Sequence, residues 1–434
     1  MALSTEDLLT PFLRGIKTQE AFKLGVELEY FPVDRNTLRI LPFSGERGIA
    51  RVLETMVGQS GYSPVHEGQN VIGLERNDGA SVTLEPGGAM EYSSAPARSL
   101  REVESQTRRF LSDLEAVMAD QDTGLMAVGF HPFDTPQNVQ LVPKSRYRFM
   151  YDYMPSVGST GRFMMKVTCS VQIAIDFDSE ADAMRKFRLA AQLTPVFVAL
   201  SANSSMAEGA CTERASNRAF VWLDTDPSRC GFQTFAFGDE SRFDDYVEWA
   251  LDAPMYFLRR RDELIDMSGQ PFRQFNAGVT PGGEPTLSDW ELHLNTLFPW
   301  VRLRDFIEIR CFDMNPLPIS MALVALVKGI FYHEPSLKAA ESLCSGFDAE
   351  TTTGLLHAAI NRGLDGVYGK VSLRDLARLL VSNSRQGLAA ATASDVSFLD
   401  PLESLTEEWT FDDVKGRLSA NPAAFARRGL VGPG

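Results

Sequence analysis

The stretch Thr-Leu-Glu-Pro-Gly-Gly-Ala-Met-Glu, from Thr83 to Glu91, decides how the chain is interpreted. Two acids, Glu85 and Glu91, flank a Pro-Gly-Gly turn whose glycines permit positive φ angles, and apolar residues anchor both flanks. The pattern predicts a β-hairpin that carries one carboxylate on each arm. A surface hairpin with two solvated acids is the alternative, because carboxylates are common on protein surfaces.

Two further strand patterns carry acids on a polar face. Alternation over Leu24–Phe31 places Glu27 and Glu29 side by side, and alternation over Phe306–Phe312 places Glu308 beside an arginine. Adjacent acids repel each other unless their face meets water, basic groups or a divalent cation. For Glu308 and its arginine, a simple ion pair is the alternative interpretation.

A third alternating run, from Lys166 to Phe177, predicts a strand with Gln172 on its polar face. If these strands share one sheet, five carboxylates converge: Glu27, Glu29, Glu85, Glu91 and Glu308. Oxygen-only ligation at that charge suits Mg²⁺ or Mn²⁺, and such ions would hold the phosphates of a nucleotide. Three arginines would then neutralise transferred phosphoryl charge: Arg218, Arg229 and Arg310.

Helical periodicity and capping patterns predict the surrounding elements. The predicted helices begin at Ser4, cover 100–121, run from Ser179 towards Ala199 with a kink or end near Pro195, cover 243–266, begin at Ser288, and cover 318–331. Residues 217–222 are predicted as a basic and aromatic strand. Residues 336–434 are predicted as a C-terminal helical part of a single catalytic domain that spans 1–434, because the sequence shows no repeat or linker.

Composition limits the possible functions. The net charge of -15 disfavours nucleic acid and acidic membranes as partners. Five scattered cysteines indicate neither a zinc cluster nor a disulfide framework, and the N-terminus lacks a basic segment followed by an apolar run. We therefore expect a soluble, cytoplasmic protein. The sequence has no Walker loop, no Gly-x-Gly-x-x-Gly, no nucleophile elbow and no His-Glu-x-x-His.

Several segments together resemble glutamate–cysteine ligase of the plant and proteobacterial type. They are Gly25–Glu29, Leu84–Glu91, Arg146-Tyr147, Met164–Phe177, Asn203-Ser204, Arg218 with Trp222–Asp226, Pro254–Phe257, Ser288–Leu294 and Ile307–Arg310. The resemblance implies an α+β, glutamine-synthetase-like fold, in which a curved, funnel-like antiparallel sheet carries helices on its outside. It implies that ATP phosphorylates the γ-carboxylate of L-glutamate and that L-cysteine attacks the acyl phosphate, as the first step of glutathione or related thiol synthesis.

The resemblance also implies roles for individual residues. Mg²⁺ ligation is implied for Glu27, Glu29, Glu85, Glu91 and Glu308. Contacts to the amino-acid substrates are implied for Arg146, Arg218, Trp222 and Tyr256, and a further metal or substrate contact for Gln172. Arg310 is implied to contact the γ-phosphate, so that Arg310 and Glu308 stand at the catalytic centre.

The chain departs from the family pattern after Arg310, where Cys311–Pro316 replaces small and glycine-rich residues. Such a change would alter the acceptor amine without altering the ATP chemistry, so a ligase with another amine is an alternative. A non-catalytic binding protein is disfavoured, because converging unpaired acids are costly without a cation. A metal-dependent hydrolase ranks last, because it usually adds His or a bridging Asp.

Overall fold

One antiparallel sheet carries all the acidic strands that the sequence predicts. A computed structural model describes residues 2–58, 61–119, 122–261 and 263–431. Within these residues the strands are β1 (Leu24–Asp34), β2 (Tyr62–Glu67), β3 (Asn70–Arg76), β4 (Ser81–Leu84), β5 (Met90–Ser93), β6 (Thr123–Met126), β7 (Ser170–Ile175), β8 (Met206–Ala207), β9 (Ala210–Cys211), β10 (Cys230–Gly231), β11 (Phe257–Arg260), β12 (Glu263–Asp266), β13 (Phe298–Pro299), β14 (Val301–Leu303), β15 (Ile307–Asp313), β16 (Val367–Tyr368) and β17 (Val371–Ser372). The main sheet has the order β14-β15-β7-β1-β5-β4-β3-β2, and β6 pairs with the end of β1.

The helices surround this sheet and form the C-terminal part. They are α1 (Thr5–Leu13), α2 (Ile49–Met56), α3 (Leu100–Met118), α4 (Ser145–Tyr153), α5 (Gly161–Val167), α6 (Glu180–Ser201), α7 (Asn217–Trp222), α8 (Phe243–Asp252), α9 (Phe272–Asn276), α10 (Leu287–Leu294), α11 (Leu317–Phe331), α12 (Glu334–Leu343), α13 (Ala349–Arg362), α14 (Leu373–Ala391), α15 (Asp400–Glu408), α16 (Phe411–Ala420) and α17 (Pro422–Ala426).

Register gives the main sheet one apolar face and one polar face. On the polar face, Glu27 lies opposite Gln172, and Glu29 lies opposite Glu91. The alternate residues of β1, β7 and β15 are fully or almost fully buried on the other face, where α6 packs on β15, α11 packs on β7, and Phe110 of α3 meets Tyr30 of β1. Ring pairs such as Tyr92 with Phe110 of α3, whose centroids lie 4.4 Å apart, fasten the helices to the strands. The polar face is thereby left free to form a site.

Four predicted elements differ from the structure, and the first two differences lie beside the polar face. Lys166 and Val167 end helix α5, so that β7 begins only at Ser170. Residues 217–222 form helix α7 rather than a strand, because Ser216 Oγ caps its N-terminus by accepting a hydrogen bond from the Ala219 N–H at 3.0 Å.

The other two differences are helix boundaries. The predicted helix 243–266 ends at Asp252, because Pro254 cannot continue a helix, and the chain then forms the hairpin of β11 and β12. The capping box predicted at Ser288 belongs to Thr286, whose side chain accepts from the Asp289 N–H. The helix predicted from Ser179 towards Ala199 is α6, which contains Pro195 and ends at Ser201.

The C-terminal helices are closely connected to the rest of the chain. Helix α14 crosses α11 so closely that a Cβ atom on Gly387 would overlap the carbonyl oxygen of Gly329. The last described residues return to β6, where the Ala127 N–H donates to Gly429 O at 2.7 Å. No single helix in the described ranges is long and apolar enough to cross a membrane; by length and composition, only α11 and α12 together pass as a pair, bent by 97°.

Candidate active site

A cavity of about 290 Å³ opens on the polar face of the sheet. Its lining includes most of the residues predicted to form the site: Glu27, Glu29, Glu85, Glu91, Arg146, Gln172, Arg218, Trp222 and Arg310. Three predicted residues, Glu308, Tyr256 and Arg229, do not line it. The structure therefore brings together acids from β1 and the hairpin with arginines from α4, α7 and β15.

The carboxylates form an acidic cluster on one side of this cavity. Glu29 accepts hydrogen bonds from the Ser170 N–H at 2.6 Å and from Gln172 Nε2 at 2.9 Å, and Glu91 accepts one from Thr83 Oγ1 at 2.8 Å. Burial, reinforced by neighbouring carboxylates, raises the pKa of Glu29 to about 8 and that of Glu91 to about 7.

The same causes raise the pKa of Glu27 well above its usual range. Buried carboxyl groups that lie close together are costly to ionise at the same time, and a divalent cation relieves that cost. The donor set fits a hard, oxygen-preferring ion, since carboxylates line the cavity and no histidine is among the described lining residues. Within the described chain, no group of three or more His, Cys, Asp or Glu side chains could hold a metal ion in the arrangement that the structure shows.

Contacts at the turn hold the hairpin that carries Glu85 and Glu91 in place. The Gly87 N–H donates to Met165 O at 3.2 Å, and a Cβ atom on Gly87 would overlap the Lys166 carbonyl group. On the strand before the turn, Leu84 O accepts hydrogen bonds from the hydroxyl of Tyr147 and from Lys144 Nζ, the latter at 2.9 Å. These contacts set the distance between the hairpin and α4 and α5.

Glu308 lies between two arginines rather than in the acidic cluster. Its Oε2 atom is 2.7 Å from both Arg302 Nε and Arg310 Nη1. Burial alone would raise the pKa of Glu308, but the two guanidinium groups lower it to about 2. Arg310 also donates to Gln172 Oε1, so Glu308 and Gln172 orient its guanidinium group towards the cavity. Metal ligation by Glu308 stays a prediction.

Arg218 and Trp222 line the cavity, and each has a buried donor atom without a partner in the described part of the chain. Arg218 is 3% exposed and donates from Nη2 to Arg310 O at 2.8 Å and from Nη1 to Cys311 O at 3.2 Å. Its Nε atom and the Nε1 atom of Trp222 are buried without a hydrogen-bond partner among the described residues. Buried donors are normally satisfied, so a substrate oxygen fits this position.

Tyr256 and Arg229 form a structural pair away from the cavity. Arg229 is fully buried, its Nε lies 2.6 Å from Asp226 Oδ2, and its guanidinium carbon lies 3.9 Å from the centroid of the Tyr256 ring. Their positions do not support the predicted roles in substrate contact and in phosphoryl binding. The next residue, Phe257, lines the cavity instead.

Sequence reasoning missed several residues that line the cavity. They include Asn295, Arg302 and Arg304. The alternating Val-Arg-Leu-Arg sequence of residues 301–304 was a usable signal, because it places Arg302 on the face of β14 opposite Glu308, and Arg304 follows directly after the strand.

A second cavity, of about 630 Å³, lies beside the first on the same face. Its lining includes Gly25 and Ala174 as small residues and Lys23 and Arg98 as basic ones. Glu27 and Gln172 line both cavities. The polar face therefore offers two neighbouring compartments that meet at the acidic cluster.

The sheet, with the helices packed on its outside, has the predicted α+β, glutamine-synthetase-like fold. The fold is similar to that of the glutamate–cysteine ligase of Francisella tularensis in complex with AMP, with a TM-score of 0.56 and 11% identity over 94% of this chain and 88% of that one. It is also similar to a bifunctional glutathione synthetase of Pasteurella multocida, with a TM-score of 0.54 and 10% identity over 98% of this chain and 53% of that one.

The model of glutamate-cysteine ligase family 2 (GCS2) matches residues 23–409, and the chain belongs to this family. The chain is 38% identical to the chloroplastic glutamate–cysteine ligase of Nicotiana tabacum, over 92% of this chain and 76% of the relative. It is 36% identical to glutamate–cysteine ligase B of Oryza sativa subsp. japonica, over 93% and 81%. The predicted enzyme class, an ATP-dependent glutamate–cysteine ligase, is thus confirmed.

The predicted cytoplasmic location is wrong by the same comparison, because these relatives are chloroplastic enzymes. The prediction rested on the scattered cysteines and on the absence of an apolar N-terminal run. The free cysteines describe a chain that folds without disulfides, and neither feature specifies a compartment.

Proposed function

We propose that this protein joins the γ-carboxylate of L-glutamate to the amino group of L-cysteine, with ATP as the phosphoryl donor. The glutamate carboxylate attacks the γ-phosphorus of ATP, and ADP leaves. The cysteine nitrogen then attacks the acyl carbon of γ-glutamyl phosphate, phosphate leaves, and the amine loses a proton. Membership of the ligase family and the acid-and-arginine cavity support this reaction.

The observation that carries the proposal is the division of one cavity into an acidic and a basic side. Glu27, Glu29, Glu85 and Glu91, with Glu308 as a further candidate, would hold Mg²⁺ or Mn²⁺, which supplies charge neutralisation at the phosphate oxygens. On the basic side, Arg310 is held by Glu308 and Gln172, so that its charge is already oriented before phosphoryl transfer.

The rest of the cavity suits two amino acids. The unpartnered Arg218 Nε and Trp222 Nε1 atoms would donate to a substrate carboxylate, and Arg146 would bind the other substrate. Met150, Met164 and Met165 line the cavity and offer a polarisable surface to a thiol side chain. The neighbouring 630 Å³ cavity has the size of a nucleotide site, and we assign ATP to it.

The family departure after Arg310 lies outside the active-site cavity. Cys311 and Phe312 are fully buried, and Asp313 accepts hydrogen bonds from Ser204 Oγ and Ser216 Oγ at 2.6 and 2.9 Å. None of the three lines the cavity. This placement favours cysteine over a different amine as the acceptor.

The test is ADP release with ATP, Mg²⁺ and L-glutamate across a panel of amines, with product masses measured by mass spectrometry. We expect cysteine and close analogues such as 2-aminobutyrate to stimulate turnover. Glu85→Gln should lower turnover by about 100-fold or more, because a metal ligand contributes several kcal/mol, while Glu54→Gln on the exposed face of α2 should not. Stimulation by an unrelated amine would show that this amine, and not cysteine, is the acceptor. Normal turnover of Glu85→Gln would show that Glu85 is not a metal ligand.

A further inference from the structure

The C-terminal helices enclose a cavity of about 260 Å³ that shares no lining residue with the active-site cavity. We call it the C-terminal cavity and define it by three walls: residues 128–132 after β6, residues 202–206 after α6, and residues 409–429. The family match ends at residue 409, so the wall formed by α16, α17 and the residues after them lies almost wholly beyond it. The C-terminal cavity therefore depends on residues outside the family match.

Two arginines give this cavity its charge. Arg417 and Arg428 both line it and are exposed, and within the described ranges neither guanidinium group has a hydrogen-bond or ion-pair partner. No acidic side chain is among the described lining residues, although the chain as a whole carries a net charge of -15. Two unneutralised guanidinium groups at one cavity favour an anion.

The remaining walls define the rest of the ligand. Aromatic rings of Phe130, Trp409 and Phe425 line the cavity, and the Arg428 guanidinium carbon lies 5.8 Å from the centroid of the Phe425 ring. Asn203 and Ser205 also line the cavity, but their side-chain donors already bond to backbone carbonyl oxygens: Asn203 Nδ2 to Ala127 O and Met314 O, and Ser205 Oγ to Ala215 O. A ligand would match the arginines with a negatively charged group and the aromatic rings with a flat apolar body.

One residue of this cavity also contacts the active site. Ser204 is 3% exposed; its Oγ donates to Asp313 Oδ2 at 2.6 Å and accepts from the Arg218 N–H at 3.2 Å. The neighbouring Asn203 N–H donates to the same Asp313 oxygen at 3.0 Å. A ligand that takes the single Ser204 hydroxyl proton would remove one donor from the buried Asp313 and disturb the anchor of Arg218.

We propose that the C-terminal cavity binds a small organic carboxylate with an aromatic or similarly apolar body, and that its occupancy weakens binding of the amine substrate through Ser204 and Arg218. Binding of the carboxylate follows from the cavity alone. Its effect on binding of the amine substrate rests on the proposed function.

The first measurement is calorimetric titration of the full chain with benzoate, and with benzamide as its uncharged counterpart. We expect benzoate to bind and benzamide to bind about tenfold more weakly or worse, because only the anion pairs with arginine. Arg417→Gln and Arg428→Gln should each weaken benzoate about tenfold, whereas Arg51→Gln, an exposed arginine on α2, should bind as the unmodified chain does. Unchanged folding is checked by thermal melting.

Any of four results would overturn the proposal. Benzoate could bind equally well after both substitutions, benzamide could bind as tightly as benzoate, inorganic phosphate could bind while benzoate does not, or benzoate could fail to bind at all. In the ligase assay, benzoate should raise the KM for cysteine at least about twofold in the unmodified chain and leave it unchanged in Arg417→Gln; an unchanged KM overturns the coupling. A chain that binds benzoate as expected but turns over no substrate would contradict the proposed function and leave the site in place.

Discussion

Glutamate side chains on one sheet face have different pKa values because their neighbours differ. Glu308 is paired with two guanidinium groups and has a pKa of about 2, whereas Glu29 and Glu91 face other carboxylates and have pKa values of about 8 and 7. At neutral pH the acidic cluster is therefore partly protonated when no cation is bound. Binding of a divalent ion must displace those protons, which couples metal affinity to pH.

This coupling predicts the pH dependence of stability in the metal-free protein. Burial and like charge raise the folded-state pKa values of Glu29 and Glu91 above the ordinary value of 4.5, so their stabilising effect is present below about pH 4.5 and is lost as the pH rises through about 7 to 8. The free energy of unfolding should fall by about 1 to 3 kcal/mol per pH unit between about pH 5 and 7.

Thermal melting in a chelating buffer measures this slope. Mg²⁺ should restore stability most at the upper end of the range, because it binds only the folded cluster. Glu91→Gln should reduce the slope, whereas Glu54→Gln on α2 should leave it unchanged. A slope that is the same in Glu91→Gln as in the unmodified chain would contradict the assignment of the titrating groups.

Alternation along the strands was enough to predict which acids share a face, because a strand places every second side chain on the same side. It was not enough to predict what those side chains meet across the sheet. Arg302 neutralises Glu308 from β14, and Tyr256 turns away to pack on Arg229. Both outcomes depend on register and packing between segments that are distant in sequence, which one-dimensional periodicity does not contain.

At the scale of elements, the hairpin positions two acids only because its turn lies against the end of α5. Gly87 has no room for a side chain there, since a Cβ atom would overlap the backbone of Lys166. Pro86 O also accepts from the Val142 N–H at 2.9 Å, so the turn is held from two sides. The sequence predicted the turn from its glycines, but the reason for Gly87 is a tertiary contact.

We therefore expect Gly87→Ala to lower both stability and activity. The added methyl group must push β4 and β5 away from α5, at a cost of about 1 to 3 kcal/mol, and the shift moves Glu85 and Glu91 relative to the other acids. Gly416→Ala in α16 is the matched control, because nothing lies within 4 Å of its Cβ position and alanine favours a helix. Urea unfolding and ADP release report the two effects; an active Gly87→Ala protein would show that the turn does not position the acids.

Local sequence predicted elements well where the pattern was long and poorly where it was short. Helix α3 and strand β15 follow from sustained periodicity. The six residues of α7 carry aromatic and β-branched residues typical of a strand, yet the Ser216 cap and the packing of Arg218 against β15 make them helical. Tertiary contacts decide such short segments.

At the scale of the whole molecule, the C-terminal helices pack on helices that cover the sheet, and the end of the described chain pairs with the sheet itself. Helices α11 and α14 cross at Gly329 and Gly387, whose missing side chains permit close approach of their backbones. The final segment pairs with β6, where the Val431 N–H donates to Leu125 O at 2.9 Å. We infer that residues 336–434 are part of one catalytic domain, as the sequence predicts, and not a separate unit.

This inference predicts that the protein unfolds in one cooperative transition and that a change at the α11–α14 crossing affects all of it. Gly387→Ala should lower the melting temperature of the entire transition, because the methyl group would overlap Gly329 O and force the two helices apart. Differential scanning calorimetry measures the heat of the transition, and loss of ligase activity on heating reports the sheet. Both should shift to lower temperature together in Gly387→Ala and remain unshifted in Gly416→Ala. The contrary result would be two calorimetric peaks, only one of which shifts, together with an unchanged temperature of activity loss. It would show that the C-terminal helices unfold independently of the sheet.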